Sequence, residues 1–262
     1  FDLRARSYGV PLYQLLGGGT PQLKTDITIS LNDTATMVRD SLAAVAAGFD
    51  TLKVKLGTRT WRQEVDTMFA IRSAVGDGIV LRLDANQGWT PKQAVQIIDA
   101  LEQAGMVLDF VEQPVKARDL AGLRFVTERV KTPVLADEAV FDLADALDIL
   151  STQSADILNI KLMKCAGISQ AIDIAALARR QQIPCMIGCM LESAISVAAA
   201  AHFAVAHADV VTRVDLDGPL LCATSPVNGG LIHDGPWIRL SEAPGLGIEA
   251  VRGLQEIQTY AA

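Results

Sequence analysis

Residues 79–112, IVLRLDANQGWTPKQAVQIIDALEQAGMVLDFVE, decide how the chain reads. A continuous apolar run, Ile79 to Leu83, ends on Asp84, and a second, Val107 to Val111, ends on Glu112. Between them a helical pattern spans Pro91 to Ala104, with Thr90 as a capping residue and proline at the first helical position. Runs apolar throughout are strands buried on both faces, as in parallel sheets. Strand, helix and strand with short connections make a right-handed βα unit. Both strands close on a carboxylate.

Outward from this stretch the pattern repeats. Further strands are expected at Ile27–Leu31, Thr51–Leu56, Val134–Ala136, Ile157–Ile160, Cys185–Ile187 and Val210–Val214, making eight, with helices over Ala35–Ala47, Trp61–Val75, Ala139–Ser151, Ile168–Arg180 and Ile195–His207. Lys53 and Lys55, Asp84, Glu112, Asp137, Lys161, and the pair Asp215 and Asp217 fall at the ends of such runs. From Lys55 to Lys161 the gaps are 24 to 29 residues, and the step to Asp215 is about twice that. One chemical group per βα unit is how a (β/α) barrel builds its active site. A doubly wound open sheet normally shows a glycine-rich phosphate turn after its first strand, and none follows Leu31. The expected fold is α/β, a TIM barrel.

Composition narrows the partner. The chain has 262 residues, half of them hydrophobic, and a formal charge of −7. That is room for one barrel of about 250 residues. An acidic chain offers no basic face for nucleic acid or an anionic membrane, so a small-molecule substrate is expected. Cys165, Cys185, Cys189 and Cys222 form no CxxC pair, which fits buried thiols in a reducing, cytoplasmic setting. The longest apolar stretch, Ala194 to Ala208, carries His202 and His207 and reads as a buried helix, short of a membrane span. The opening segment, FDLRARSYGVPLYQLLGGG, reads as a helix with a glycine stop and lacks the layout of a signal peptide.

The strand-end residues carry the chemistry. Three carboxylates converging on one barrel mouth repel one another unless a hard divalent cation lies among them, and oxygen ligands suit Mg²⁺. Strand-terminal acids also serve as helix N-caps, a reading less economical for three consecutive strands. Lys53 and Lys55 alternate with Val54 and so face the same side. Lysines near a cation are expected to have depressed pKa values and to act as general bases. Lys161, on strand six, lies across the barrel, so one lysine could serve each face of a substrate carbon; Lys164 is expected on the surface. A proton would leave beside a carboxylate through a metal-stabilised enediolate. Asp215 and Asp217 would form a negative pocket for a substrate ammonium, or else merely an Asp-Gly-Pro turn. His202, His207 and His233 are not expected to be bases or metal ligands.

Together TLKVKLG, LRLDANQGW, DFVEQP, VLADEA and NIKLMKCAGIS resemble the muconate lactonizing branch of the enolase superfamily. The resemblance implies a modified (β/α)₇β barrel over residues 23–240, with residues 1–22 the trailing helix of an N-terminal capping domain largely missing from this chain. Residues 241–262 would form a C-terminal tail returning to that cap. It assigns Asp84, Glu112 and Asp137 to Mg²⁺, Lys55 and Lys161 to acid/base work, and Lys53 to a place beside the substrate carboxylate, lowering the pKa of Lys55. VDLDGPLL is similar to dipeptide epimerases, in which the paired aspartates hold the free N-terminus of the dipeptide. Cys189 and Met190 would line the pocket through their backbone, and Thr28 would face it or be purely structural. A homo-oligomer is also implied. The expected reaction is a 1,1-proton transfer at the α-carbon of the C-terminal residue of an L,L-dipeptide. Alternatives are a cycloisomerase or dehydratase of the same branch, or a truncated, noncatalytic barrel.

Overall fold

The computed structural model describes residues 1–254; residues 255–262, part of the expected tail, lie outside that range. Helices α1 (Asp2–Ser7) and α2 (Leu12–Leu15) open the chain, followed by strands β1 (Gln22–Lys24) and β2 (Ile27–Ile29). Then come α3 (Thr34–Ala46), β3 (Thr51–Lys55), α4 (Trp61–Val75), β4 (Val80–Asp84), α5 (Pro91–Gln103), β5 (Val111–Glu112), α6 (Leu120–Thr127) and β6 (Val134–Ala136). The alternation continues through α7 (Leu143–Thr152), β7 (Ile157–Lys161), α8 (Ile168–Arg180), β8 (Cys185–Gly188), α9 (Ala194–Ala206) and β9 (Val211–Asp215). A short 3₁₀ turn at Gly218–Leu221 replaces an eighth helix, and β10 (Val227–Gly229), β11 (Leu231–Asp234), β12 (Trp237–Leu240) and β13 (Ile248–Val251) complete the described chain.

Strands β2 to β9 form one parallel eight-stranded sheet in sequence order. Its seam is closed by Asp26 N donating to Val214 O at 3.3 Å and Leu216 N to Thr25 Oγ1 at 2.8 Å. Seven helices, α3 to α9, return the chain between successive strands, which is the (β/α)₇β arrangement. Outward strand residues such as Leu52, Val54, Leu81 and Leu83 are buried against this helical ring and form most of the core.

Inward residues alternate with these, as strand geometry requires. Phe110, just before β5, with Leu135, Ile157 and Met186 of β6, β7 and β8, makes a separate apolar plug inside the barrel. Beside it Arg82 reaches Asp26 at 2.7 Å and Asp109 at 3.0 Å, while Arg213 also binds Asp109. The interior is therefore closed at the N-terminal ends of the strands, and the polar residues two positions further along stand above that floor.

Several boundaries differ from the sequence reading. The expected strand Val107–Val111 is ordered as sheet only at Val111 and Glu112, because Asp109 turns to the two arginines. The helix expected from Ala139 starts at Leu143, where Asp142 accepts from Asp145 N at 3.0 Å, leaving residues 138–142 as a loop at the mouth. Helix α6 was not anticipated: eight residues give too few turns for a clear periodicity. The single opening helix is split at Gly9, whose φ is +67°, and Pro11. Two small antiparallel sheets lie outside the barrel, β1–β12–β11 and β10–β13, the last strand of which belongs to the expected tail. Among the described residues no helix is long and apolar enough to cross a membrane.

The opening helices are fastened to α9 by His202. Its Nδ1 accepts from Tyr13 N at 3.0 Å, its ring stacks on the Tyr13 ring, and it is fully buried. Burial pushes its pKa down to about 4. The unfolded chain takes up this proton from about pH 6.5 downward, the folded chain only near pH 4. Stability linked to His202 is therefore complete above pH 6.5 and lost as the pH falls, with a loss of about 2 kcal/mol by pH 5. Urea unfolding of the protein and of His202→Gln at pH 7.5 and 5 should show this pH-dependent loss only in the unsubstituted chain.

Candidate active site

The parallel register sets the charged residues side by side. Lys55 pairs with Asp84 across β3 and β4, and Asp84 with Glu112 across β4 and β5. Asp137 follows β6 directly, and Gln113, at φ +34°, fixes it by accepting from Asp137 N at 2.9 Å and Ala139 N at 3.1 Å through its Oε1. Lys55 and Asp137 open onto a cavity of about 620 Å³ at the C-terminal ends of the strands. Thr28, Lys53, Lys55 and Asp137 line it from one side. Lys161, Cys189, Met190 and Asp217 line it from the other, while Asp84, Glu112 and Asp215 lie buried beneath. A separate cavity of about 510 Å³ near Phe69 and Val107 offers no comparable chemistry, since its Arg72 and Asp109 are already paired.

Ammonium groups meet most of the carboxylates. Lys55 Nζ lies 2.5 Å from Asp84 Oδ2 and 2.8 Å from Asn86 Oδ1. Lys161 Nζ donates to Asp137 Oδ2 at 2.8 Å, and Lys164 Nζ to Asp137 Oδ1 at 2.5 Å. Lys53 pairs with Asp215 and lies 4.0 Å from Glu112 Oε2. Gly188, at the end of β8, leaves the space Lys161 occupies: a Cβ there would stand 2.9 Å from Lys161 Cε and 2.7 Å from Asn159 Oδ1.

Four expectations are corrected. Lys164 is not a solvated surface lysine; its side chain is 7% exposed and bound to Asp137. Lys53 is buried against Asp215, so its charge is met there before any substrate arrives. Asp215, neutralised by Lys53 and absent from the cavity wall, leaves Asp217 as the aspartate that faces the cavity. With the protein's own groups alone around them, Lys161 and Lys53 are raised rather than depressed: burial alone would lower Lys161, but Asp137 and Glu112 overcome it, and Asp215 and Glu112 do the same for Lys53.

Sequence reasoning also missed Asn159, Asn86 and Glu138. Asn159 donates to Glu112 Oε1 at 2.8 Å, and Asn86 joins Lys55 to Glu138. The only signal for Asn159 was its inward position, two residues before Lys161 on the same strand face.

Among the described residues no three His, Cys, Asp or Glu side chains are drawn together tightly enough to enclose a metal. The lysines account for this, since they hold the inner oxygens of Asp84 and Asp137. The donor set nevertheless fits a hard dication: Asp84, Glu112 and Asp137 end three consecutive strands with oxygen ligands alone. Glu112 Oε2 is buried without a hydrogen-bond partner. Burial, with the charge of Asp84 beside it, raises the Glu112 pKa to about 8. The nearest ammonium to Glu112 Oε2, Lys53 at 4.0 Å, is spent on Asp215, so this oxygen has room for a further cation. Burial and Asp215 likewise raise Asp217.

A (β/α)₇β barrel with three carboxylates and opposed lysines at its mouth defines a class of metal-assisted carbon-acid enzymes. The family described as enolase C-terminal domain-like matches residues 36–253, and the chain belongs to that family. It is 47% identical to an L-Ala-D/L-Glu epimerase of Clostridium acetobutylicum over 96% of this chain and 70% of that protein. It is likewise 47% identical to a hydrophobic dipeptide epimerase of Enterococcus faecalis, over 95% of this chain and 70% of that one. A substrate-liganded L-Ala-D/L-Glu epimerase from Bacillus subtilis superposes with a TM-score of 0.94 at 45% identity, covering 95% of this chain and 69% of that one. An E. faecalis dipeptide epimerase complexed with Mg and L-Leu-L-Tyr gives 0.91 at 47% identity, with 95% and 70% covered.

Because Glu112 must lose a proton to ligate a cation, Mg²⁺ binding at pH 7 should release close to one proton. Calorimetry in buffers of different ionisation enthalpy measures this, and Glu112→Gln should lose both the release and most of the affinity.

Proposed function

We propose that this protein is a Mg²⁺-dependent dipeptide epimerase that moves the α-proton of the C-terminal residue of an L,L-dipeptide from one face to the other. The observation that carries the reading is the pair Lys55 and Lys161, which face one cavity from β3 and β7, four strands apart in a ring of eight. A carbon held between them has an ammonium or amine on each side, so one lysine removes the proton and the other returns one. The naming of similar proteins as dipeptide epimerases supports the same reading.

Asp84, Glu112 and Asp137 are the residues that would hold Mg²⁺. When bound, Mg²⁺ supplies positive charge to the substrate carboxylate and so makes its α-proton more acidic. The chain's own residues do the rest. Asp217, oriented by Thr28 N at 2.7 Å, offers a carboxylate for the dipeptide ammonium. Cys189 and Met190 border the same end of the cavity. Lys53 and Asp215 neutralise one another beneath the substrate and keep the floor rigid.

The lining also bears on the choice of dipeptide. Each cation lining the cavity, Lys53, Lys55, Lys161 and Lys164, already faces a carboxylate. The exposed side chains around the opening include Leu31, Phe141, Met163, Leu191 and Leu221. Dipeptides with apolar side chains therefore come first in a substrate screen.

Proton NMR of L,L-dipeptides in deuterated water with Mg²⁺ should show the C-terminal α-proton signal disappear as the L,D diastereomer grows. Lys55→Ala and Lys161→Ala should each abolish exchange from one epimer only. Asp217→Asn should raise KM for the dipeptide about tenfold or more, the weight of a charge-assisted contact. Exchange absent for every dipeptide would sink the epimerase reading and favour cycloisomerisation or dehydration, whose substrates bring no ammonium group. Full epimerisation by either lysine variant would remove the two-base assignment.

A further inference from the structure

Lys164 has no part in the proton transfer described above, yet it is one of the best-anchored side chains at the mouth. An ammonium has three hydrogens to donate. Those of Lys164 have three acceptors: Asp137 Oδ1 and the Asp137 carbonyl, each at 2.5 Å, and the Asn159 carbonyl at 3.2 Å. The chain is folded back to allow this. Lys164 N and Cys165 N both donate to Lys161 O, and Gly167 N donates to Leu162 O across a turn in which Ala166 has φ +57°. The Phe141 ring covers the ammonium from 5.7 Å. Lys161 differs: its single hydrogen bond is to Asp137 Oδ2, and the missing side chain of Gly188 leaves it room.

We propose that Lys164 is a positioning residue that commits Oδ1 of Asp137, so that engagement of Oδ2 by a divalent cation leaves Lys161 without a carboxylate and free to reach the substrate. The inference rests on the reading of Asp137 as a Mg²⁺ ligand. A carboxylate has two oxygens, and Lys164 permanently holds one. When a dication takes the other, its charge repels the Lys161 ammonium from Oδ2, and Oδ1 is already held by Lys164. Without Lys164, Oδ1 would stay open, and Lys161 would move to it and remain paired. Lys164 thus acts on one of the two bases through the carboxylate they share. Lys55, paired with Asp84 across the barrel, lies outside its reach.

The test uses the full chain, Lys164→Met, and Lys164→Gln as the milder neutral replacement that carries the same expectation should the first variant fail to fold. Lys161 acetylation by acetic anhydride, read by peptide mass spectrometry, is compared without Mg²⁺ and at saturating Mg²⁺ fixed by calorimetry. Mg²⁺ should raise Lys161 modification severalfold in the unsubstituted protein and leave it unchanged in the Lys164 variants. Lys164→Arg, which keeps a cation with donors for the same oxygens, should recover the response. With a dipeptide substrate, the epimer whose exchange Lys161→Ala abolishes should slow about tenfold in Lys164→Met, and the other epimer far less. The same Mg²⁺ response in all proteins, or equal slowing of both epimers, would overturn the inference and reduce Lys164 to a structural role. Failure of the unsubstituted protein to bind Mg²⁺ would overturn the metal reading together with this inference, so the two failures are distinguishable.

Discussion

The mouth of the barrel depends on balancing like charges that a parallel sheet forces together. Register pairs Asp84 with Glu112, and Asp137 stands two residues past the partner of Glu112 on the next strand, so the three carboxylates are neighbours whatever else the chain does. Bringing three carboxylates out of water into one place is costly unless each finds a cation or a proton. The structure uses both remedies: lysines meet Asp84 and Asp137, and Glu112 is pushed toward its neutral form. A divalent cation would act on the same imbalance, and the lysines it released would then be available for chemistry. Metal affinity and base activation are thus two aspects of one electrostatic problem.

That arrangement needs a floor. If the barrel were polar throughout its length, water would enter from below and screen the charges that must act on the substrate. Phe110, Leu135, Ile157 and Met186 prevent this, and the Asp26–Arg82–Asp109–Arg213 chain of ion pairs fills the remaining cross-section. Lys53 and Asp215 form the next layer up, linking β3 to β9 across the seam strand β2. Their burial explains why two lysines one residue apart, facing the same side, differ so much. Lys53 is locked within the barrel, whereas Lys55, one strand repeat higher, has a side chain 26% exposed and faces the cavity.

The fold was legible because strand-end charges recur at the length of a βα unit, a signal carried by local residues. The opposition of Lys55 and Lys161 followed from counting strands. What remained hidden depends on the reach of side chains. Nothing near VDLD reveals that Asp215 pairs with Lys53 beneath the cavity while Asp217 faces it, since alternation along a strand puts residues two apart on one face. Lys164 was misread because a lysine in a loop is ordinarily solvated. The turn in which Lys164 N and Cys165 N both donate to Lys161 O brings it back to Asp137. The small sheets built from β1 and β10 to β13 escaped for another reason: their strands are three or four residues long, and β1 pairs with β12 across most of the chain.

Chemistry and selectivity are carried by different parts of this molecule. Every group assigned to proton transfer or metal binding is at or next to the end of a parallel strand, where main-chain hydrogen bonds on both sides restrict movement. The apolar residues around the opening, Leu31, Phe141, Met163, Leu191 and Leu221, are on the connections beyond those strands. Loops tolerate substitution that strands do not, because changing them leaves the ladder and core intact. A change at Leu191 or Phe141 can therefore alter which side chain fits without moving Lys55 or Lys161. A change at Gly188 cannot, since the nearest atoms to any added Cβ belong to Asn159 and Lys161. Barrels of this kind can diversify in substrate while their proton-transfer geometry stays fixed, and here the boundary between the two regimes falls within a few residues of each strand end.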